Sequence, residues 1–365
     1  MNKRSFFTLL AASLTLWTPL RAERVDHTIT DGWEFRCDDL RSAADGWCGV
    51  CVPHTWNAAD CDDDTPGYRR GPAWYRRTLR LDASLAERRI HLLFEAVDSH
   101  AEVYVNGELA GTHAGGYTAF AFDVTDLVRT GDNLLEVRAD NTHDPDVPPL
   151  SADYTFFGGI YRDVHLIVTD PLHIATTHYA SSGVFLSTER LDDSSAEISV
   201  LTLVSNDGPK TARATVVQRV FDPAGRCVAE TGTSVTLPAG ADGTAVRQSL
   251  RIPEPCRWSP DEPQLYRVES LVVDARGAVT DRVANPLGLR TCAFDPERGF
   301  ILNGRPLKLV GTSRHQDYEG LGYALGDERH IRDVEQLKRM GGNFLRIAHY
   351  PQDPAVLAAC DRLGL

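Results

Sequence analysis

The change in hydrophobic periodicity near residue 292 is the feature that most constrains the fold of this chain. Before that point, short runs alternate apolar and polar residues, as NLLEVRAD does at residues 133–140. A period of two is typical of β-strands with one buried face. The turn signal Asn106-Gly107, which lies between two such runs, predicts a tight hairpin. After residue 292 apolar residues recur at helical spacing, so the sequence predicts a mainly β protein that ends in an α/β part.

Two successive β domains are predicted in the alternating part. Residues 23–169 hold strand-like runs separated by short turns, and we expect a jelly-roll sandwich there. Residues 170–292 form a second block of strands, which is broken by NDG, PAG and ARG turns. Its length is close to the roughly 100 residues of an immunoglobulin-like sandwich, so we expect that fold for the second domain.

The final part, residues 293–365, follows the order strand, helix, strand, helix, which is typical of a parallel α/β fold. RPLKLVGTS is predicted to be one strand, and the helix after it carries apolar residues at helical spacing up to Met340. Asp327 is expected to cap the start of that helix, and Asp353 to open the second one. Because two strand–helix units cannot close a core, we expect the fold to continue beyond Leu365.

The first 22 residues have the layout of a secretory signal peptide. Lys3 and Arg4 form a basic start, an apolar stretch follows, and a small residue, Ala22, stands where cleavage is expected. We therefore expect an exported protein, either periplasmic or extracellular. No second apolar run reaches the roughly 18 residues of a membrane span, so no membrane insertion is expected.

Charge and cysteine content narrow the classes of partner and site. The formal net charge of −13 argues against nucleic acid as a partner. Eight cysteines are present, and Cys48 and Cys51 have the C-x-x-C spacing that occurs in zinc and redox sites. No companion motif supports a zinc site, which leaves disulfides or buried thiols. An exported protein matures in an oxidising compartment, so disulfides are the favoured expectation.

Several motifs together resemble glycoside hydrolase family 2. VPHTWN, the long segment FEAVDSHAEVYVNGELAGTHAGGYTAFAFDVTDL and FFGGIYRDVHL are similar to the N-terminal sugar-binding domain of that family. WSPDEPQLY resembles the end of its immunoglobulin-like domain. FILNGRPLKLVGTSRHQD and NFLRIAHYPQDPAVLAACDRLGL resemble the opening of its catalytic barrel. These motifs occur in the order of the family and cover essentially the whole chain after the predicted signal peptide.

The resemblance implies a retaining exo-glycosidase with an (α/β)₈ barrel as its catalytic domain, of which this chain holds the first two units. The family uses two glutamates near the ends of the fourth and seventh barrel strands, so both catalytic residues are expected beyond Leu365. A β-galactosidase is the favoured member, with β-glucuronidase and β-mannosidase as rivals. The alternative from a different class is a non-catalytic carbohydrate-binding or assembly module.

The resemblance also assigns roles to five residues. His315 and His349 would bind hydroxyls of the terminal sugar, and Arg346 would orient the nucleophilic glutamate and stabilise its charge. Asp317 would either bind sugar or brace its loop. Asp153 would reach from the jelly roll into the barrel mouth and contact the sugar and a bound sodium ion. The other interpretation is that these side chains only satisfy backbone groups at strand ends and in loops.

The remaining expectations concern partners, cofactors and one structural pair. The substrate would be an oligosaccharide or another glycoside, and the full enzyme could be a homo-oligomer. The sequence requires no cofactor, and a sodium or magnesium ion, as in β-galactosidase-like enzymes, is left open. Arg162 and Asp163 are expected to be structural, as a salt bridge or as a pair at a domain interface.

Overall fold

The computed structural model describes residues 24–38, 40–41, 46–61 and 63–365. The predicted signal peptide lies outside these residues. The prediction of a mainly β protein with two sandwiches and a short α/β part is confirmed. None of the helices in the described ranges is long and apolar enough to cross a membrane.

The first domain is a sandwich of two antiparallel sheets. Its strands are β1 (Val25–Thr28), β2 (Trp33–Arg36), β3 (Cys48–Val50), β4 (Pro72–Leu81), β5 (Arg89–Phe94), β6 (His100–Val105), β7 (Glu108–Ala114), β8 (Phe120–Asp123), β9 (Gly131–Asp140) and β10 (Val164–Thr169). One sheet has the order β1-β10-β5-β8 and the other β3-β2-β4-β9-β6-β7. The inner faces bury Trp33, Phe94 and Val137. The predicted hairpin joins β6 to β7, and both Asn106 and Gly107 have the positive φ angles that such a turn requires.

The second domain, called the immunoglobulin-like domain below, is a second antiparallel sandwich. Its strands are β11 (Leu172–Ile174), β12 (Val184–Leu191), β13 (Ser195–Asn206), β14 (Ala212–Phe221), β15 (Cys227–Leu237), β16 (Ala241–Pro253), β17 (Tyr266–Asp274) and β18 (Val279–Leu287). In one sheet β13 pairs with β11, β12 and β16, and the other sheet has the order β15-β14-β17-β18. The core between the sheets is built from alternating strand residues such as Ile198, Val216 and Val268.

The third part, called the α/β segment below, comprises residues 292–365. It contains a small antiparallel sheet, a parallel strand pair and two helices: β19 (Cys292–Asp295), β20 (Gly299–Leu302), β21 (Arg305–Pro306), β22 (Gly311–Arg314), α1 (Asp327–Arg339), β23 (Phe344–Ile347) and α2 (Pro354–Leu363). The predicted single strand RPLKLVGTS is therefore divided between β21 and β22. A small core of Val334, Val356 and Ala359 lies between the helices and the strand pair.

Details of the two helices both correct and confirm the sequence expectations. Gly326, and not Asp327, is the N-cap of α1, and Asp327 is the first helical residue, where its charge favours the helix dipole. Met340 is 83% exposed because it lies at the C-cap, beyond the buried face. Helix α2 begins as predicted: the Asp353 side chain accepts a hydrogen bond from the Ala355 backbone amide at 2.8 Å.

The expected disulfides are not present. All eight cysteines lie within the described residues and all are free thiols. Cys48 and Cys51 are three residues apart along an extended segment, a span of roughly 10 Å between their Cα atoms, whereas a disulfide needs less than about 7 Å. Cys51 instead donates its thiol hydrogen to Asp31 Oδ1 at 3.3 Å. In the described part of the chain no three His, Cys, Asp or Glu side chains are grouped so that they could hold a metal ion.

Buried charged and polar groups line the interface between the jelly roll and the immunoglobulin-like domain. Arg24 donates to Asp281 Oδ2 at 2.8 Å and to the Ile174 carbonyl at 2.6 Å. The rings of His91 and His173, both 2% exposed, face each other at 5.5 Å. The two sandwiches are therefore joined through an interface that contains titratable groups.

Candidate functional site

The candidate site lies where the two parallel strands of the α/β segment end. Strands β22 and β23 pair in register from Gly311 opposite Phe344 to Arg314 opposite Ile347, so their carboxyl ends meet at one edge. His315 follows the first strand and His349 follows the second, and their rings are 5.4 Å apart. The carboxyl ends of parallel strands are where α/β proteins place their chemistry. The structure thus brings these two predicted site residues together.

Aromatic rings from the jelly roll and from the α/β segment pack beneath and beside the histidines. We call this set the aromatic junction; it comprises Tyr117, Tyr154, Phe157, Tyr161, Tyr323 and Tyr350. Tyr350 stacks on Tyr117 of the jelly roll at 4.4 Å, and its hydroxyl lies 3.2 Å from His315 Nδ1. Tyr154, from a jelly-roll loop, lies parallel to His349 at 6.1 Å and 5.3 Å from His315. The site is therefore built by two domains.

The other predicted site residues lie at the rim of this edge. Asp317 and Arg346 are exposed, and His349 is exposed while His315 is half-buried. Among the described residues, the Arg346 guanidinium forms no hydrogen bond or ion pair, so it is free to hold an added carboxylate. Asp153 is exposed and precedes Tyr154 in the loop that reaches the histidines. Burial and the charges of Asp98 and Asp153 raise the pKa of Tyr154.

A buried arginine supports the site from below. The Arg314 guanidinium donates to Asp333 Oδ2 at 2.7 Å and to Gln352 Oε1 at 2.9 Å, and it lies 3.0 Å from His330 Nδ1. Gln352 in turn donates to the Arg314 carbonyl, which joins the ends of the two strands. Burial and the neighbouring Arg314 charge lower the pKa of His330 to about 3, so this histidine is neutral near pH 7.

Sequence reasoning assigned no role to several of the groups that form this site, among them Arg314, Tyr154 and Tyr350. Each of them adjoins a predicted residue, and this adjacency was an available signal: Arg314 precedes His315, Tyr350 follows His349 and Tyr154 follows Asp153. Asp98 left no such signal. It is 1% exposed, its Oδ2 has no hydrogen-bond partner among the described residues, and burial raises its pKa to about 7. Asp98 packs against Gly116, where a side chain of any size would collide with the carboxylate.

The described residues do not gather a full set of ligands for a cation at this edge. Sodium and magnesium prefer several oxygen ligands around one point. The exposed carboxylate of Asp153 supplies one such group, and no cluster of three acidic or histidine ligands forms in the described ranges. An ion at Asp153 therefore needs ligands from outside this set, such as substrate or water.

The family of this chain follows from its similarity to known protein families. Three family models match successive parts of the chain. Residues 33–171 match "Glycosyl hydrolases family 2, sugar binding domain", residues 179–290 match "Glycosyl hydrolases family 2", and residues 296–365 match "Glycosyl hydrolases family 2, TIM barrel domain". This chain belongs to glycosyl hydrolase family 2. Its α/β segment is the start of the barrel domain of that family, as the sequence motifs predicted.

Relatives within family 2 carry two different activity names. A "Beta-glucuronidase" of Bacteroides fragilis is 37% identical over 99% of this chain, which covers 51% of the relative. A "Beta-galactosidase" of Thermoanaerobacter pseudethanolicus is 35% identical over 80% of this chain, which covers 38% of the relative. The structure of Bacteroides uniformis β-glucuronidase 2, covalently bound to cyclophellitol-6-carboxylate aziridine, superposes with a TM-score of 0.90. It is 38% identical, and the match covers 94% of this chain and 42% of that one. The chain thus spans about half, or less, of the length of these proteins.

Proposed function

We propose that this chain forms the sugar-binding side of a retaining β-glycosidase that removes a terminal β-linked sugar from a glycoside. The observation that carries the proposal is the meeting of His315 and His349 at the carboxyl edge of the first two barrel strands. Imidazole nitrogens can donate to or accept from sugar hydroxyls. The ring of Tyr154, which lies parallel to His349, adds an apolar face against which a pyranose ring can lie.

The chemistry of such an enzyme requires two carboxylates that lie roughly 5 Å apart in retaining glycosidases, one as nucleophile and one as acid/base. In this proposal both come from barrel strands that are not among these 365 residues. The exposed Arg346 guanidinium is the group that would hold the nucleophile ionised. Asp153 and Asp317 would contact the sugar from the rim, and a sodium or magnesium ion at Asp153 belongs to the same proposal.

Two substrate classes compete within this proposal. The resemblance of the segment Arg314–Asp317 and of Asp153 to β-galactosidase members favours β-galactosides. The relatives at 37% and 38% identity are named β-glucuronidases, which favours β-glucuronides. We place β-glucuronides first, because those two matches are more similar in sequence than the β-galactosidase of Thermoanaerobacter pseudethanolicus, at 35% identity. Export through the predicted signal peptide is proposed as well; a mature N-terminus near Glu23 in mass spectra would support it.

The experiment compares nitrophenyl β-glucuronide, β-galactoside and β-mannoside as substrates for the protein at its full encoded length. We expect turnover of one of the first two and an anomeric proton signal that shows retention in the first-formed product. The 365-residue chain by itself should be inactive on all three. Absence of turnover on every substrate would favour a non-catalytic binding module, and activity of the 365-residue chain would place both carboxylates among residues assigned here to structure.

A further inference from the structure

A buried arginine of the jelly roll reaches into the α/β segment directly behind the histidines. Arg162 lies two residues before β10, and its side chain is 4% exposed. One nitrogen, Nη2, donates to Gln316 Oε1 at 3.1 Å and to the Pro351 carbonyl at 2.7 Å. Its Nε lies 4.0 Å from the carboxylate of Asp353. Arg162 therefore lies at a domain interface, as the sequence predicted, and it also contacts the segments that follow β22 and β23.

The two acceptors of Arg162 are adjacent to the proposed sugar-binding residues. Gln316 follows His315 directly, and Pro351 comes two residues after His349. Because one nitrogen donates to both loops, a shift of either loop lengthens a charged hydrogen bond in a water-poor interior. Hydrogen bonds of this kind are stronger than neutral ones, and a buried guanidinium that loses its acceptors is costly. Arg162 therefore fixes the distance between the two loops.

The α/β segment also has its own connection between the same loops. Arg314 and Gln352 join the ends of β22 and β23 without help from another domain. That connection holds the strand ends but leaves the positions of the loops relative to the jelly roll open. Arg162 supplies this second constraint, together with Tyr117, which stacks on Tyr350. The jelly roll thus acts on the site through a polar contact and through an aromatic one.

We propose that Arg162 is a positioning residue through which the jelly-roll domain sets the separation and orientation of His315 and His349. The inference rests on the proposed glycosidase function and extends it to a domain that contributes Tyr154 at the rim. The Arg162 side chain is buried, and its hydrogen bonds are made to Gln316 and to the Pro351 carbonyl. Its effect on turnover passes through the loops that carry the two histidines.

Arg24 provides a matched control. It is also an interdomain arginine of the jelly roll, with a side chain that is 13% exposed, and it also donates to a backbone carbonyl, that of Ile174, and to a carboxylate, that of Asp281. Its partners lie in the immunoglobulin-like domain and not at the strand ends. Arg24→Met and Arg162→Met remove the same donors from two interfaces, so they separate loss of stability from loss of positioning.

The decisive measurement is a double-mutant cycle on the protein at its full encoded length, assayed with the aryl glycoside that it hydrolyses. We expect Arg162→Met to lower kcat/KM at least tenfold in the folded fraction, and Arg24→Met to change it less than twofold. In a His349→Ala background, Arg162→Met should lower kcat/KM less than threefold further, because effects that are coupled through a shared backbone shift are not additive. Losses that multiply independently would show a merely structural role and overturn the proposal.

Two further variants keep the proposal falsifiable if Arg162→Met folds poorly. Arg162→Lys keeps a charged donor and should recover part of the lost kcat/KM. Gln316→Met removes one acceptor while Arg162 keeps Pro351, so a smaller loss of kcat/KM is expected. If Arg162→Lys is as inactive as Arg162→Met while both have the melting temperature of the wild type, a positioning role through hydrogen bonds is contradicted.

A measurement that needs no turnover separates this inference from the proposed function. In the 365-residue chain, Arg162→Met should shift the ring proton signals of His315 and His349 in NMR spectra, and Arg24→Met should leave them in place. If these signals respond but no glycoside is hydrolysed at full encoded length, the proposed function fails and the positioning contact stands. If turnover is found but neither histidine signal responds to Arg162→Met, the positioning inference fails alone.

Discussion

The jelly roll forms two interfaces with its neighbouring domains, and the two bury different kinds of side chain. Toward the immunoglobulin-like domain it buries charged and titratable groups, among them Arg24, Asp281, His91 and His173. Toward the α/β segment it packs the aromatic junction and the Arg162 guanidinium, and the carboxyl groups of Asp98 and Asp353 are buried beside them. Charged interfaces depend on pH and lose much stability when one partner is removed. Stacked rings depend little on pH and hold fixed distances, which suits the interface that carries the candidate site.

Removal of Asp281 is expected to have the largest effect on stability. Its side chain is fully buried and accepts from Arg24 and from the Ile174 backbone amide at 2.7 Å. Asp281→Ala leaves the Arg24 charge without its partner, so the free energy of unfolding should fall by roughly 4 kcal/mol. Hydrogen exchange should show the loss in β11 and β18. If α1 and α2 lose protection to the same extent, the two interfaces are not independent and the comparison fails.

Removal of a ring from the aromatic junction should have a somewhat smaller effect at the other interface. Tyr350→Ala deletes the stack on Tyr117 and leaves a cavity, so the α/β segment should lose about 3 kcal/mol of stability. Tyr350→Phe is the matched control: it keeps the ring and loses only the hydroxyl, with its contacts to His315 and to the Gln316 backbone amide, for about 1 kcal/mol. Hydrogen exchange of α1 and α2 measures both. Equal losses would show that the hydroxyl, and not the stacked ring, joins the domains.

The effect of pH on stability at the interface with the immunoglobulin-like domain is expected to be no larger than the effects of these substitutions. Burial lowers the pKa of His91 to about 4, and the His173 ring opposite adds to this effect. The Asp123 charge opposes this lowering of the pKa of His91, and Asp207 opposes that of His173, whereas Arg24 and Arg89 lower the pKa of His91 further. In the unfolded chain His91 binds a proton below about pH 6.5, whereas in the folded chain it binds one only below about pH 4. The free energy of unfolding therefore falls as the pH is lowered from about 6.5 to about 4, by up to about 3 kcal/mol.

His91→Gln isolates this contribution because it removes the titrating ring and keeps a polar side chain. Urea unfolding of the wild type and the variant between pH 4 and pH 7 should show a steeper loss toward acid in the wild type. The aromatic junction contains no histidine, so exchange in α2 should not follow the same difference. Parallel curves for wild type and variant would mean that His91 is not responsible for the acid sensitivity of this interface.

Local sequence patterns predicted most of the fold and part of the site. Alternation over residues 133–140 and the Asn106-Gly107 turn gave strands and a hairpin that the structure confirms, because these signals act within a few residues. The positions of His315 and His349 followed from the strand ends before them. The partners across the two interfaces could not be predicted this way. Arg162 and its acceptors Gln316 and Pro351 are 154 and 189 residues apart, and a contact at that distance leaves no local periodicity.

The predictions that failed were those made from the type of a single residue, without knowledge of the backbone around it. The cysteines suggested disulfides from the expected compartment, yet an extended backbone holds Cys48 and Cys51 too far apart. Asp327 has a good N-cap side chain, but the helix begins one residue earlier than that role requires. Met340 continues the apolar spacing of α1 beyond its last residue, Arg339, to the C-cap, and Gly341, with φ +88°, then ends the helix.

We propose that the edge formed by β22 and β23 binds the terminal sugar of a β-glycoside, and His349→Ala tests this proposal most directly. In the protein at its full encoded length, loss of a hydrogen bond that tightens in the transition state should lower kcat/KM roughly 30- to 1,000-fold, mostly through kcat. His178→Ala, which removes an exposed histidine of the immunoglobulin-like domain, is the matched control and should change kcat/KM less than twofold. Equal kcat/KM values for the wild type and His349→Ala would contradict the assignment of this site.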